Sequence, residues 1–74
     1  MVRYRIQIDT TGQMLDMIHK MCVSDKPIYL TNSDRTKVLG AHSILSELTA
    51  LDFDEVWVES DDESLYEYVK EYVI

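Results

Sequence analysis

The chain has 74 residues, one cysteine, and 7 basic against 14 acidic side chains, for a net charge of −7. That length permits a single domain over 1–74 with a modest core, which argues against a deep enzyme cleft, and one cysteine excludes an internal disulfide or a thiolate metal cluster. Residues 1–51 are near neutrality, whereas 52–74 hold nine acids against Lys70 alone, a surface that repels nucleic-acid phosphates and anionic membranes and excludes both as partners.

The opening "MVRYRIQID" alternates and soon meets an acid, so it reads as a strand and not as a signal peptide. Val2, Tyr4, Ile6 and Ile8 share one face; Arg3, Arg5 and Gln7 share the other. "DTTG" interrupts the pattern and offers Asp9, Thr10 and Thr11 as N-caps. In "QMLDMIHKMC" the period becomes helical, with Met14, Ile18 and Met21 joined by Leu15 and Cys22 on the apolar stripe, which makes Cys22 a core thiol. Asp16 falls in an early turn, where the helix dipole favours an acid. Pro27 closes this region. "PIYLTNSDRTKVLG" predicts strand, turn, strand: Ile28 and Leu30 point one way, Tyr29 and Thr31 the other, and Asn32-Ser33-Asp34 supply the turn. "SILSELTAL" is helical again through Ile44, Leu45, Leu48 and Leu51. "DEVWVES" is a strand with Trp57 opposite in facing to Val56 and Val58. Ser60 and Glu63 have the spacing of a capping box, predicting a last helix that turns Leu65, Val69, Tyr72 and Val73 to the core. No apolar run approaches the roughly 20 residues of a membrane span, and a reduced, cytoplasmic protein is the expectation. The order β-α-β-β-α-β-α predicts an α+β open-faced sandwich, with a four-stranded antiparallel sheet and three helices on one face.

Chemistry has few places to reside. His19 and His42 lie on different helices with no ligand spacing around them, so neither a metal nor another cofactor is expected. His19 reads as a helix-flank residue. Ser43 stands just before the Ile44-Leu45 stripe, where its hydroxyl would cap the free amides of the first turn. The same turn, His42-Ser43-Ile44, is an anion-binding helix start, and a phosphoryl group on Ser43 would be stabilised there. His42 and Ser43 lack a third residue to orient the imidazole, and Asp61, Asp62 and Glu63 are helix-start residues before they are a catalytic pair, so no enzymatic activity is expected.

The sheet's second face assembles Trp57 and Tyr29 with Arg3 and Arg5. If the strands are neighbours, arginine meets tryptophan in a cation-π arrangement. One use of it is to cover the sheet, with Trp57 flat under the arginine stems; the other is an interface for a partner protein or for a homodimer.

The element order and three short motifs together resemble the histidine-containing phosphocarrier protein (HPr) family of the bacterial sugar phosphotransferase system. "AHSIL" (41–45) is similar to the family's Ala-Lys-Ser-Ile-Leu at its second helix, "DEVWV" (54–58) to its Asp-Glu-Ile strand entry, and "DDES" to the acidic run before its final helix. The family's Thr-Gly pair is present as Thr11-Gly12, but the Leu-His-Ala-Arg-Pro-Ala that follows it in the family is replaced by "QMLDM", without histidine or arginine, and the segment is shorter. The resemblance therefore implies a degenerate member that has lost the phosphoryl-accepting histidine. It implies a non-catalytic regulatory or protein-interaction domain whose partner is a phosphotransferase-system enzyme or regulator. Ser43 matches the serine that a dedicated kinase phosphorylates in Gram-positive members, with His42 in place of a lysine and Ser46-Glu47 where the family has glycine and an apolar residue. Two alternatives stay open: a phosphocarrier with His42 as a relocated acceptor, and a structural or dimerising domain that uses the Trp57 face.

Overall fold

A computed structural model describes residues 1–41 and 49–74. Strand β1 (Val2–Ile6) leads into helix α1 (Thr11–Met21), followed by the hairpin β2 (Ile28–Thr31) and β3 (Val38–Gly40). Thr49 and Ala50 are helical and precede β4 (Val56–Ser60) and a short helix α2 (Leu65–Val69). The four strands form one antiparallel sheet in the order β1-β4-β2-β3. The fold is therefore α+β with an open sheet, and two helices lie wholly within the described residues. The stretch expected to be a middle helix begins at Ser43, and residues 42–48 lie outside the described part.

The strands form where alternation put them. On one face Ile6, Ile28, Leu30, Val56 and Val58 are buried and meet Met14, Met17, Ile18 and Met21 of α1 and Leu65 and Val69 of α2. Helix α1 starts at Thr10, whose hydroxyl accepts from the Gln13 amide at 3.1 Å while the Gln13 side chain accepts from the Thr10 amide at 3.3 Å. This reciprocal box satisfies two of the donors a helix start leaves open.

Several expectations need correction. Met17, not Leu15, completes the apolar stripe: Met14, Met17, Ile18 and Met21 follow the i, i+3, i+4, i+7 spacing, and residues one step of 100° beyond that stripe face solvent. Leu15 is accordingly exposed, and Cys22, the C-cap of α1, is an exposed thiol. Asp16 lies beyond the first turn and is held by its neighbours instead of the dipole. Strand β1 ends at Ile6, because from Gln7 the backbone turns to residues 72–74, with Gln7 N–H donating to the Tyr72 carbonyl and Ile74 N–H to that of Arg5. Ser60 does not open a helix. It is the last residue of β4, buried, and its hydroxyl donates to the Pro27 carbonyl at 2.8 Å and accepts from the Asp62 amide. Asp62 in turn accepts from the Ser64 amide and, at its other oxygen, from Ser24 and Tyr68, so α2 begins only at Leu65 and runs five residues. The Ser24 hydroxyl, followed by the Ser64 amide, holds the Asp62 carboxyl below its ordinary value.

Candidate functional site

Residues directly opposite across an antiparallel pair share a face. The register sets Arg3 opposite Glu59 and Arg5 opposite Trp57, and places Tyr29 beside Glu59 and Thr31 beside Trp57. All of them lie on the side away from the helices, as the alternation predicts. The Arg3 guanidinium carbon stands 4.2 Å from the centre of the Trp57 ring, the diagonal reach of a long side chain across two strands. Its Nη2 donates to Thr31 Oγ1 at 3.2 Å and to the carbonyls of Asn32 and Ser33 at 3.1 and 3.2 Å. Arg3 thereby fastens the end of β2 to the sheet. Among the described residues it has no carboxylate partner, and its Nε is buried without an acceptor.

Arg5 differs. Its Nη2 is 3.9 Å from Glu55 Oε2, too far for a hydrogen bond, and among the described residues its guanidinium donates none. Glu55 is turned toward the tryptophan, accepting from Trp57 Nε1 at 3.0 Å. Arg5, Trp57 and Glu55 thus make a compact, partly exposed cluster with hydrogen-bonding capacity left over.

Sequence reasoning missed the third arginine. Glu59 is 2% exposed although it belongs to the open face, and Arg35 covers it with Nε and Nη2 donating to Oε1 at 3.0 and 2.8 Å. Arg35 reaches back because it adopts a left-handed backbone conformation, φ 61°, uncommon for a residue with a side chain. The surrounding turn fixes that conformation. Asn32 accepts from the Lys37 amide and Asp34 from the amide and hydroxyl of Thr36, a bonding that holds Asp34 below its ordinary value. Turn residues announced the loop, but only the strand register places Glu59 beneath it. All three arginines of the chain and its single tryptophan meet on this face.

The other candidates are dispersed. His42, Ser43 and Ile44 lie outside the described residues. His19 is exposed on the last turn of α1, as its flank position predicts. Beside it Lys20 bridges Asp16 at 3.1 Å and Glu71 at 2.8 Å, and the Tyr72 hydroxyl donates to Asp16, which together fasten residues 71–72 to α1. Tyr72 first and then Lys20 lower the Asp16 pKa, while Glu71 and Asp16 raise that of Lys20. An open cleft of about 310 Å³ lies past the end of β1, with Ile6, Phe53 and Val56 in its lining and Arg5, Asp54 and Glu55 among its polar residues. Among the described residues that line it there is no histidine, cysteine or serine. Among the described residues no three His, Cys, Asp or Glu side chains are grouped to hold a metal, and no helix is long and apolar enough to cross a membrane. No protein-family model, curated protein or solved structure matches the chain.

Proposed function

We propose that this chain is a non-catalytic, HPr-like regulatory or protein-interaction domain of the cytoplasm. It meets a phosphotransferase-system enzyme or regulator through surface contacts and does not pass phosphoryl groups. The order of the elements, β-α-β-β before the undescribed segment and β-α after it, supports the resemblance. The observation that carries the loss of phosphoryl transfer is the start of α1. There the resemblance calls for an accepting histidine and a phosphate-holding arginine, and this chain has Thr11, Gly12, Gln13 and Met14, with the Gln13 amide already bonded to Thr10. His19 is at the opposite end of the same helix, eight residues and roughly 12 Å along the axis.

Intact mass after incubation with phosphoenolpyruvate and enzyme I, beside an ordinary HPr that becomes phosphorylated, tests this reading. The proposal expects no acid-labile phosphoryl group. Its appearance, and its disappearance in His42→Ala, would replace the proposal with a carrier that uses His42. A parallel incubation with HPr kinase and ATP asks whether Ser43 is the switch: an acid-stable phosphate absent from Ser43→Ala assigns it, and an unmodified chain removes Ser43 from the account.

A further inference from the structure

We infer that the open sheet face binds a second copy of this chain, through a two-fold contact centred on Arg5, Trp57 and Glu55. The inference requires nothing of the phosphocarrier resemblance and stands on three observations. The first is composition: interfaces are enriched in tryptophan and arginine, and here every arginine and the one tryptophan gather on a single face while the lysines do not. The second is charge. Arg3, Arg5 and Arg35 against Glu55 and Glu59 give this face +1, which leaves −8 on the rest of a chain whose total is −7. A basic partner would be drawn to the acidic C-terminal third in preference to this face, whereas a second copy carries the same −8 outside its own face, gains nothing from long-range attraction and is held only by the complementarity of the face itself. A face of near-zero net charge, with opposite charges on either side of a tryptophan, is complementary to itself.

The third is the state of the Arg5–Glu55 pair. At 3.9 Å, with 46% and 33% of the side chains exposed, it is loose, and the guanidinium's donors are unused among the described residues. In an isologous contact each residue i that meets j is matched by j meeting i. A two-fold axis beside the pair sets Arg5 of each copy over Glu55 of the other and closes the two tryptophans against each other. Val38, 44% exposed on the same face, adds apolar area at its margin.

A face of a molecule of 26 × 25 × 23 Å can bury roughly 600 Å² per copy, toward the lower end of specific interfaces, where weak and reversible association is common.

The test uses charge reversal at Arg5 and Glu55; because Glu55→Arg also removes the acceptor of the Trp57 indole, the fold of each variant is checked by circular dichroism. Sedimentation velocity of the unaltered chain, from about 10 µM to 1 mM, a range set to bracket weak association, should show mass rising from the 8.7 kDa monomer toward twice that value. Arg5→Glu alone and Glu55→Arg alone should each lose at least about tenfold in association. Mixed one to one, they should associate with each other, because both cross-pairs again join opposite charges. A chain that remains monomeric throughout overturns the inference. So does association that both single variants retain, or that mixing fails to restore. A heterologous partner whose binding is abolished by Arg5→Glu while the chain alone stays monomeric would assign the face to that partner.

Discussion

Replacing Arg35 with alanine removes the counter-ion from a carboxylate that is 2% exposed. Breaking a fully buried ion pair from one side costs about 3–5 kcal/mol, because the remaining charge has neither water nor partner. Here Arg35 is 51% exposed, so water enters from the vacated side and the cost falls to about 2 kcal/mol. For a domain of this size each kcal/mol moves the melting temperature by about 4–8 °C, so Arg35→Ala should melt roughly 8–16 °C below the parent. Arg35→Gly loses the same ion pair but tolerates φ 61° without steric cost, which returns about 1 kcal/mol less the greater freedom of its unfolded chain. It should therefore melt above Arg35→Ala. Glu59→Gln keeps an oxygen for the Arg35 donors and should cost less than either. Thermal melts followed by circular dichroism, with urea midpoints as a check on two-state behaviour, measure all three. If Arg35→Ala stays within about 0.5 kcal/mol of the parent, the range of an ordinary surface change, water already reaches Glu59 and the buried-pair argument is wrong. If Arg35→Gly melts below Arg35→Ala, the left-handed residue is not a source of strain.

Three further outcomes follow from the geometry. Thr10→Ala should cost about 1 kcal/mol, and adding Gln13→Ala should cost less than its separate effect, because the capping box is reciprocal; equal, additive losses in urea titrations would mean the two bonds act independently. Met17→Ala should cost about 2–5 kcal/mol, enough to unfold much of a 74-residue domain at ambient temperature, whereas Leu15→Ala at an exposed position should be close to neutral; comparable losses would put Leu15 back on the buried stripe. Asp16, Asp34, Asp54 and Asp62 have folded-state pKa values lowered below 3.8, each chiefly by a hydrogen bond, from Tyr72, Thr36, Ser33 and Ser24 respectively. Their stabilisation is present above the unfolded value and is lost as pH falls through the folded ones, so the melting temperature should hold from neutrality to about pH 4 and drop below it. Asp62→Asn should flatten that drop; an unchanged acid limb would show that these carboxylates do not govern it.

The sequence discloses what is periodic and local. Alternation in "VRYRIQI" and "VWVES" turns Arg3, Arg5 and Trp57 to the face away from the core, because a period of two leaves only one face for them, while their meeting depends on the β1–β4 pairing that the structure supplies. Thr10 is legible as a cap from its type and position. The miss at Leu15 and Met17 has a different origin: in "MLDMI" several apolar residues compete for one stripe, and only the docking direction of the helix decides among them. Ser60 misleads because a hydroxyl that could accept from the first amides of a helix can equally close a strand: it ends β4, donates to the carbonyl of Pro27, distant by 33 residues, and accepts from the Asp62 amide with no helix starting there. The Arg35–Glu59 pair spans 24 residues and depends on a left-handed turn residue that no propensity requires of arginine. Tertiary pairings of this kind are invisible to pattern.

The central claim is that the open sheet face is where the protein meets a second copy of itself. Amide and indole N–H spectra recorded as the concentration is raised test it most directly. Progressive shifts are expected at Arg3, Arg5, Tyr29, Val38 and Trp57, the indole of Trp57 foremost, with α1 unmoved. Shifts confined to α1 and α2, or spectra that do not change at any concentration, would contradict it.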